Sequence, residues 1–306
     1  MKKKILAVYF SQSGQTKSIL DNFLQPLVAA GHEIEYLQIK PVHQFPFPWT
    51  IPDFFDSVPE TVNMVPTALQ AWETKENGYD LIVLGWQPWH LSPSLPFSSI
   101  LQDEKFRAII KDRPVVTICG CRNMWINAQE KNKGLLAAAG ARLVGNIALA
   151  DRHLNHISYI TIFHWLGTGR KDRKWGVFPK PGVADEEIAG AGKYGETVNS
   201  FLESGKWEGL QSALVKQGAV RLKYSLMFIE RKAGKIFQKW VDLINKFPEK
   251  RKAILVAYKY YIDIALLVAS PIILTVNTIL VRPFAQRKIK RLMDYYRSVD
   301  YKSGKL

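Results

Sequence analysis

The chain has 306 residues, 47 % of them hydrophobic and 23 % charged, which excludes a disordered polypeptide and leaves room for two domains of ordinary size. A formal net charge of +15 suggests a nucleic-acid partner at first sight, but residues 1–204 hold 21 basic against 20 acidic side chains and residues 205–306 hold 21 against 7. The excess therefore belongs to the C-terminal third, and no nucleic acid is expected as a partner.

Residues 4–10 are a near-continuous apolar run, the pattern of a strand buried on both faces of a parallel sheet. The run ends at Phe10 in a polar turn, so no signal peptide is expected and the globular part should stay in the cytoplasm. Further strands are expected at 33–39, 80–85, 114–119 and 143–150, with helices at 15–30, 60–74, 96–110, 122–139 and 184–204. This alternation predicts a doubly wound α/β fold, a five-stranded parallel sheet in the order 2-1-3-4-5. Two long interruptions, 41–58 and 151–182, are rich in Pro, aromatic and His residues and read as lids or binding loops. Cys119 and Cys121, the only cysteines, are expected on opposite faces of their strand without an internal disulfide, which suits a reducing cytosol. Near Gly205 the composition shifts to Lys, Arg and aromatics, which divides the chain into a domain at 1–204 and a helical tail at 205–306.

Directly after the first strand, Ser11-Gln12-Ser13-Gly14-Gln15-Thr16 matches the [S/T]-x-[S/T]-G-x-T pattern of flavodoxins. There, hydroxyls and unpaired amides at a helix N-terminus surround the phosphate of FMN, and glycine lets the backbone approach. In such a fold the ligand sits outside the carboxyl ends of the strands, so the loops after the third and fourth strands should hold the flavin ring. They contain Gln87, Pro88, Trp89 and His90 in the first, and Gly120, Cys121, Arg122, Asn123 and Trp125 in the second. Trp86, Trp89 and Trp125 can stack on the ring or serve as core aromatics. Arg122 and Asn123 can hydrogen-bond its polar edge or a substrate oxygen, and His90 is the preferred acid/base because imidazole titrates near neutrality. The cluster from Asp151 to His156 is the alternative acid/base source. Its H-x-x-H spacing lacks a third ligand, and no metal is expected.

With these segments in place, residues 1–204 resemble the flavodoxin-like dialkylresorcinol condensing enzymes, or aromatases. The resemblance rests on the segments Tyr9–Thr16, Arg122–Glu130 and Gly145–Asp151. It implies FMN-dependent aromatisation of a long-chain dialkyl-cyclohexanedione to a resorcinol on a route to lipid-like pigments, beside a ketosynthase partner. An electron-carrier flavodoxin, a reductase of a quinone or porphyrinogen, and a scaffold without FMN are the competing functions.

In the tail, Ile229, Ala233, Ile236, Trp240, Leu243 and Phe247 recur at helical spacing with Arg and Lys on the other faces, as in a basic amphipathic helix. Residues 253–281 are strongly apolar, and basic clusters flank them at Lys250–Lys252 and at Arg282–Arg291. A single crossing would export one cluster against the positive-inside tendency. The expectation is an in-plane or re-entrant tail on an anionic membrane surface, at the cytoplasmic face of the inner membrane. A soluble hairpin packed on the domain, or on a second subunit of a homodimer, is the alternative.

Overall fold

In the computed structural model, which describes residues 2–76 and 78–302, five strands form one parallel sheet. They are β1 (Lys4–Tyr9), β2 (Glu33–Gln38), β3 (Leu81–Trp86), β4 (Pro114–Cys121) and β5 (Arg142–Ala150). Their order is β2-β1-β3-β4-β5, with every neighbouring pair parallel. This is the expected flavodoxin-like arrangement. β3 and β4 are buried along their whole length, as strands covered on both faces must be, while β2 lies at an edge and alternates with exposed residues. The chain reverses its winding direction between β1 and β3, which opens a crevice at their carboxyl ends.

The helices, in chain order, are α1 (Gln15–Ala29), α2 (Ile51–Asp56), α3 (Val58–Asn63), α4 (Leu95–Ile100), α5 (Glu104–Ile110), α6 (Ile126–Ala138) and α7 (Asn155–Thr168). There follow α8 (Asp185–Ala189), α9 (Gly192–Ser204), α10 (Leu210–Lys216), α11 (Tyr224–Lys246), α12 (Arg251–Ile264), α13 (Ser270–Val276) and α14 (Gln286–Arg297). One face of the sheet packs Ile5, Ala7 and Val83 under α1, α9 and α10. The other packs Leu6, Val8 and Leu84 under α4, α5 and α6, and under parts of the tail.

Several boundaries differ from the sequence reading. The helix expected at 60–74 is instead the pair α2 and α3, because Met64 adopts a left-handed conformation (φ 52°) that closes the last turn and Pro66 follows. The helix expected at 96–110 divides where the Asp103 carboxylate accepts from Phe106 N–H (2.9 Å) and starts a new N-terminus. The 151–182 segment, read as a loop, contains α7. Cys119 and Cys121 are both free, but residues two apart on a strand share a face, and both lie in the same core layer rather than on opposite sides.

Residues 205–306 do not stand apart from residues 1–204. Leu210, Leu214 and Ala219 complete the core under α1, and Val220, Met227, Ile289, Tyr295 and Tyr296 complete the core on the other face. Ala148 N–H donates to the Ala219 carbonyl (2.8 Å), which covers the β5 edge that would otherwise be open to pairing. Glu230 of α11, almost fully buried, accepts from Asn127 N–H (2.8 Å) at the start of α6 and so serves as that helix's cap. Further along α6, the buried pair Lys133–Glu130 meets Tyr295 of α14, whose hydroxyl donates to Glu130. The turn before α12 is clamped by Arg251, which donates to both carboxylate oxygens of Glu60 (2.7 and 2.9 Å) and to Asp56 (2.8 Å).

Candidate functional site

The loop from Ser11 to Thr16 joins β1 to α1, and its geometry follows from Gly14. That residue sits at φ 84°, a conformation L side chains rarely adopt, and it forms the N-cap of α1 without a side-chain cap. Among the described residues, the amides of Ser13, Gly14, Gln15 and Thr16 find no backbone acceptor, which leaves four unpaired donors at the positive end of a four-turn helix. The three hydroxyls divide their work. Ser11 Oγ accepts from Lys17 N–H (3.2 Å), and Thr16, almost fully buried, turns toward Gln87 Oε1 (3.4 Å). Ser13 is the hydroxyl that lines the adjoining cavity. The side chains of Gln12 and Gln15 are tied to the surrounding loops, Gln12 donating to the Pro46 carbonyl (3.0 Å) and Gln15 accepting from Val183 N–H (2.9 Å). A Cβ added at Gly182 would come within 2.5 Å of Gln15 Oε1, so the 182–183 turn is pressed against the loop.

This cavity, about 450 Å³, is lined at one end by Gln12, Ser13 and Gln15 and continues past both strand-end loops. From the loop after β3 come Gln87, Pro88, Trp89, His90 and Leu91, from the carboxyl end of β4 come Gly120 and Cys121, and from the loop after it comes Arg122. A two-rung ladder, Pro88–Trp89 against Ser92–Pro93, forces His90 and Leu91 into consecutive left-handed conformations (φ 46° and 59°) without a glycine. Such residues cost on the order of 1–3 kcal/mol each and persist only when neighbours hold them. His90 Nε2 lies 3.1 Å from both the Phe54 carbonyl and Ser57 Oγ, and the carbonyl can only accept, so Nε2 carries the proton. Burial brings the His90 pKa down to about 4. The imidazole is therefore neutral at physiological pH, which corrects the expectation of an acid/base titrating near neutrality.

Arg122 also lines the cavity. Its guanidinium donates to the Asn155 carbonyl (3.1 Å) and lies 5.8 Å from the centre of the Tyr159 ring, and burial lowers its pKa to about 10. It remains charged at neutral pH. Tyr159, on α7, donates to Asp263 of α12 (2.6 Å), and Asp263 in turn pairs with Lys259. Asn123 and Trp125, both expected at the site, are not brought to this cavity. Asn123 turns to Asn155 Oδ1 (3.1 Å), Trp125 is buried in the core, and both border a separate space of about 210 Å³ beside Asp151 and Arg152. Trp86 is likewise a core residue, stacked on Phe97, whereas Trp89 lines the cavity and packs its other contacts against Phe10, Phe45 and Trp49. Asp151, in the alternative acid/base cluster, is occupied by His153 Nδ1 (2.6 Å) and Ser158 Oγ (2.7 Å).

The two insertions read as lids or binding loops do roof the cavity, and α11, which the sequence reading did not place here, joins them. Trp49, Phe54 and Phe55 come from the first long insertion, Tyr159, Phe163 and Trp165 from the second, and Ile229, Ala233 and Ile236 from α11. The apolar face of α11 is thus spent on the protein itself, against the expectation that it would lie on a membrane. The helical segment Pro248–Arg297 is long and apolar enough to cross a membrane, and its most apolar stretch is only 11 % buried. Its inner face carries Leu255, Tyr258 and Ile262 into a core with Phe55 and Val241, and Asn277 accepts from the Tyr224 hydroxyl (2.7 Å). Its outer face exposes Val256, Tyr260, Leu267, Val268, Ile272, Val276 and Ile279. Of the flanking basic groups, Arg251 is occupied by Asp56 and Glu60.

Sheet order, switch-point crevice and glycine-containing loop define a flavodoxin-like fold. No family model matches the chain, and no curated protein does. Among solved structures, a flavoprotein in complex with FMN from Lactobacillus acidophilus is similar at 19 % identity and a TM-score of 0.37, over 47 % of this chain and 91 % of its own. An archaeal flavodoxin is similar at 12 % identity and a TM-score of 0.36, over 65 % and 99 %. A flavone reductase is similar at 14 % identity and a TM-score of 0.37, over 65 % and 63 %.

Proposed function

We propose that this protein binds FMN at the Ser11–Thr16 loop and oxidises a hydrophobic cyclic dione, aromatising a dialkyl-cyclohexanedione to a dialkylresorcinol. The observation that carries this reading is the single cavity that joins an anion-binding helix N-terminus, two strand-end loops and an apolar roof. The residues present fit the cofactor: four unpaired amides and the Ser13 hydroxyl suit its phosphate, and the 87–91 and 120–122 segments suit its ring. Bound FMN supplies a two-electron acceptor.

Aromatisation removes two electrons and two protons from the substrate ring. Arg122 stands where a buried cation stabilises a developing enolate oxygen, and its charge acts strongly because little water screens it. His90, with its proton held at Nε2 by Phe54, has a lone pair at Nδ1 to take a proton from the acidic ring carbon. The roof of Trp49, Phe54 and Phe163 keeps water from the reacting centre. That enclosure favours an enzyme over an electron carrier, which needs an accessible cofactor edge.

The outer apolar face of α12 and α13, with Lys250, Lys252, Arg287, Lys288, Lys290 and Arg291 around it, fits an anionic membrane surface. A long-chain dione made by a ketosynthase would partition there. Ile264 and Ile273 both line the cavity and are exposed on the outer face, so the wall between lipid and site is one helix thick. Incubation of the full chain and FMN with a synthetic dialkyl-cyclohexanedione tests the proposal. A product lighter by two hydrogens, detected by mass spectrometry, supports it. An FMN-loaded protein that leaves the dione unchanged while reducing a quinone overturns it.

A further inference from the structure

Beyond Arg122 the cavity runs between two helical walls. On α11 the apolar lining residues are Ile229, Ala233, Ile236 and Phe237, and on the opposite wall they include Ile262, Ala265, Leu266, Ala269 and Ile273. Both sets recur at intervals of three and four, so each presents one face of a helix. Alanine stands on both walls, at 233 and at 265 and 269, where a larger side chain would narrow the space. No carboxylate or carboxamide from this part of the chain enters it; the polar groups of these walls are Lys232, Ser270, Tyr258 and Tyr261, and Arg122 and Tyr159 line the part toward the strand ends. Among the described residues Arg122 forms no ion pair, although it is buried. The Asp151 carboxylate acts on this charge from beyond ion-pair distance, and an acidic group arriving with a ligand in direct contact would relieve more of the cost of burying it.

We infer that α11 and the α12–α13 segment form a subsite for one alkyl chain of an amphiphile whose acidic head sits at Arg122, and that Ala233 and Ala269 set the longest chain accepted. This inference rests on the reading of the site as one for a long-chain dione and deepens it: the tail measures the substrate. An enolisable dione and a fatty carboxylate share the required chemistry, a delocalised oxyanion next to an apolar chain.

Calorimetric titration of the full, FMN-supplemented chain with butanoate, octanoate and dodecanoate, each kept below its micelle-forming concentration, tests it. Affinity should rise by about threefold to fourfold for each methylene that finds apolar contact, then level off when the space is full. Ala233→Trp should weaken dodecanoate by about tenfold or more and leave butanoate unchanged. Arg122→Gln should weaken all three by a common factor. Ala269→Trp narrows the opposite wall and serves as the second variant if Ala233→Trp does not give a native thermal transition. Affinity that does not depend on chain length, or a folded tryptophan variant that binds dodecanoate as the parent does, overturns the inference. The two readings fail separately. Chain-length-dependent binding without dione turnover removes the proposed reaction and leaves the subsite, whereas dione turnover indifferent to chain length and to both tryptophan variants removes the subsite and leaves the reaction.

Discussion

The two ends of the cavity are built by opposite means. The anion-binding end comes from six consecutive residues between a strand and a helix, held by rules that act locally: a left-handed glycine, unpaired first-turn amides and a helix dipole. The roof is assembled from residues 49–55, 159–166, 229–237 and 258–273, brought together only by tertiary packing. The contrast teaches that cofactor chemistry can be carried by one short segment, whereas the shape that selects a substrate is spread over the chain.

The largest expected effect comes from removing the distant contributors altogether. Truncation after Ser204 deletes the Glu230 cap of α6, the Ala219 cover of the β5 edge and the Tyr295 contact with Glu130. The fragment should aggregate or lack a cooperative unfolding transition; a soluble, cooperatively folding 1–204 fragment would make the tail an accessory after all.

Next is the pH dependence of stability carried by Glu230. Burial outweighs the hydrogen bonds from the α6 amides and raises its pKa from 4.5 to about 8. Because the folded value is the higher one, the unfolded chain gives up this proton first, and stability falls as pH rises from about 4.5 to about 8. Glu230→Gln keeps an acceptor for Asn127 and should flatten that part of the profile. Thermal denaturation of both proteins across this range is the check, and identical slopes would contradict the burial argument.

A smaller effect is expected at the clamp between roof and tail. Arg251→Ala removes the fork to Glu60 and Asp56, and because the group is about a third exposed the loss should be about 1 kcal/mol, a fall of roughly 2 °C in Tm. Calorimetry at low and high salt would register it.

The smallest concerns His90. Its folded pKa of about 4 lies below the ordinary 6.5, so its contribution to stability is present above 6.5 and lost as pH falls toward 4. If its Nδ1 accepts the substrate proton, the acidic limb of kcat/KM should lie near 4 in the wild type and change in His90→Gln. A limb near 6.5 would point to another base.

The sheet was legible because β1, β3 and β4 are apolar runs of strand length, and the Ser11–Thr16 motif followed the first of them directly. α7 was not, because Ile157, Tyr159, Ile160, Ile162, Phe163 and Trp165 distribute apolar residues around the helix and leave no polar face to reveal its period. The amphipathic face of α11 could be read but not its destination, since an apolar stripe is equally suited to a membrane, a partner or its own domain. Asn123 and Trp125 were placed at the site by their position after β4, but α6 begins immediately afterwards and its buried start carries them into the core. The lowered pKa of His90 comes from its burial, against which the hydrogen bond to the Phe54 carbonyl works, and that burial is made by tertiary packing that no local pattern around residue 90 announces.

The most direct test of the local end is to titrate the full chain with FMN and with riboflavin, wild type against Ser13→Asp. An acidic residue at a helix N-terminus is compatible with the fold but repels a phosphate dianion. The expected result is that the wild type binds FMN more tightly than riboflavin, and that Ser13→Asp, with an unchanged thermal transition, loses this preference while its riboflavin affinity stays the same. Equal wild-type affinity for the two flavins, or a folded Ser13→Asp variant that still prefers FMN, would contradict the assignment of the Ser11–Thr16 loop to the phosphate.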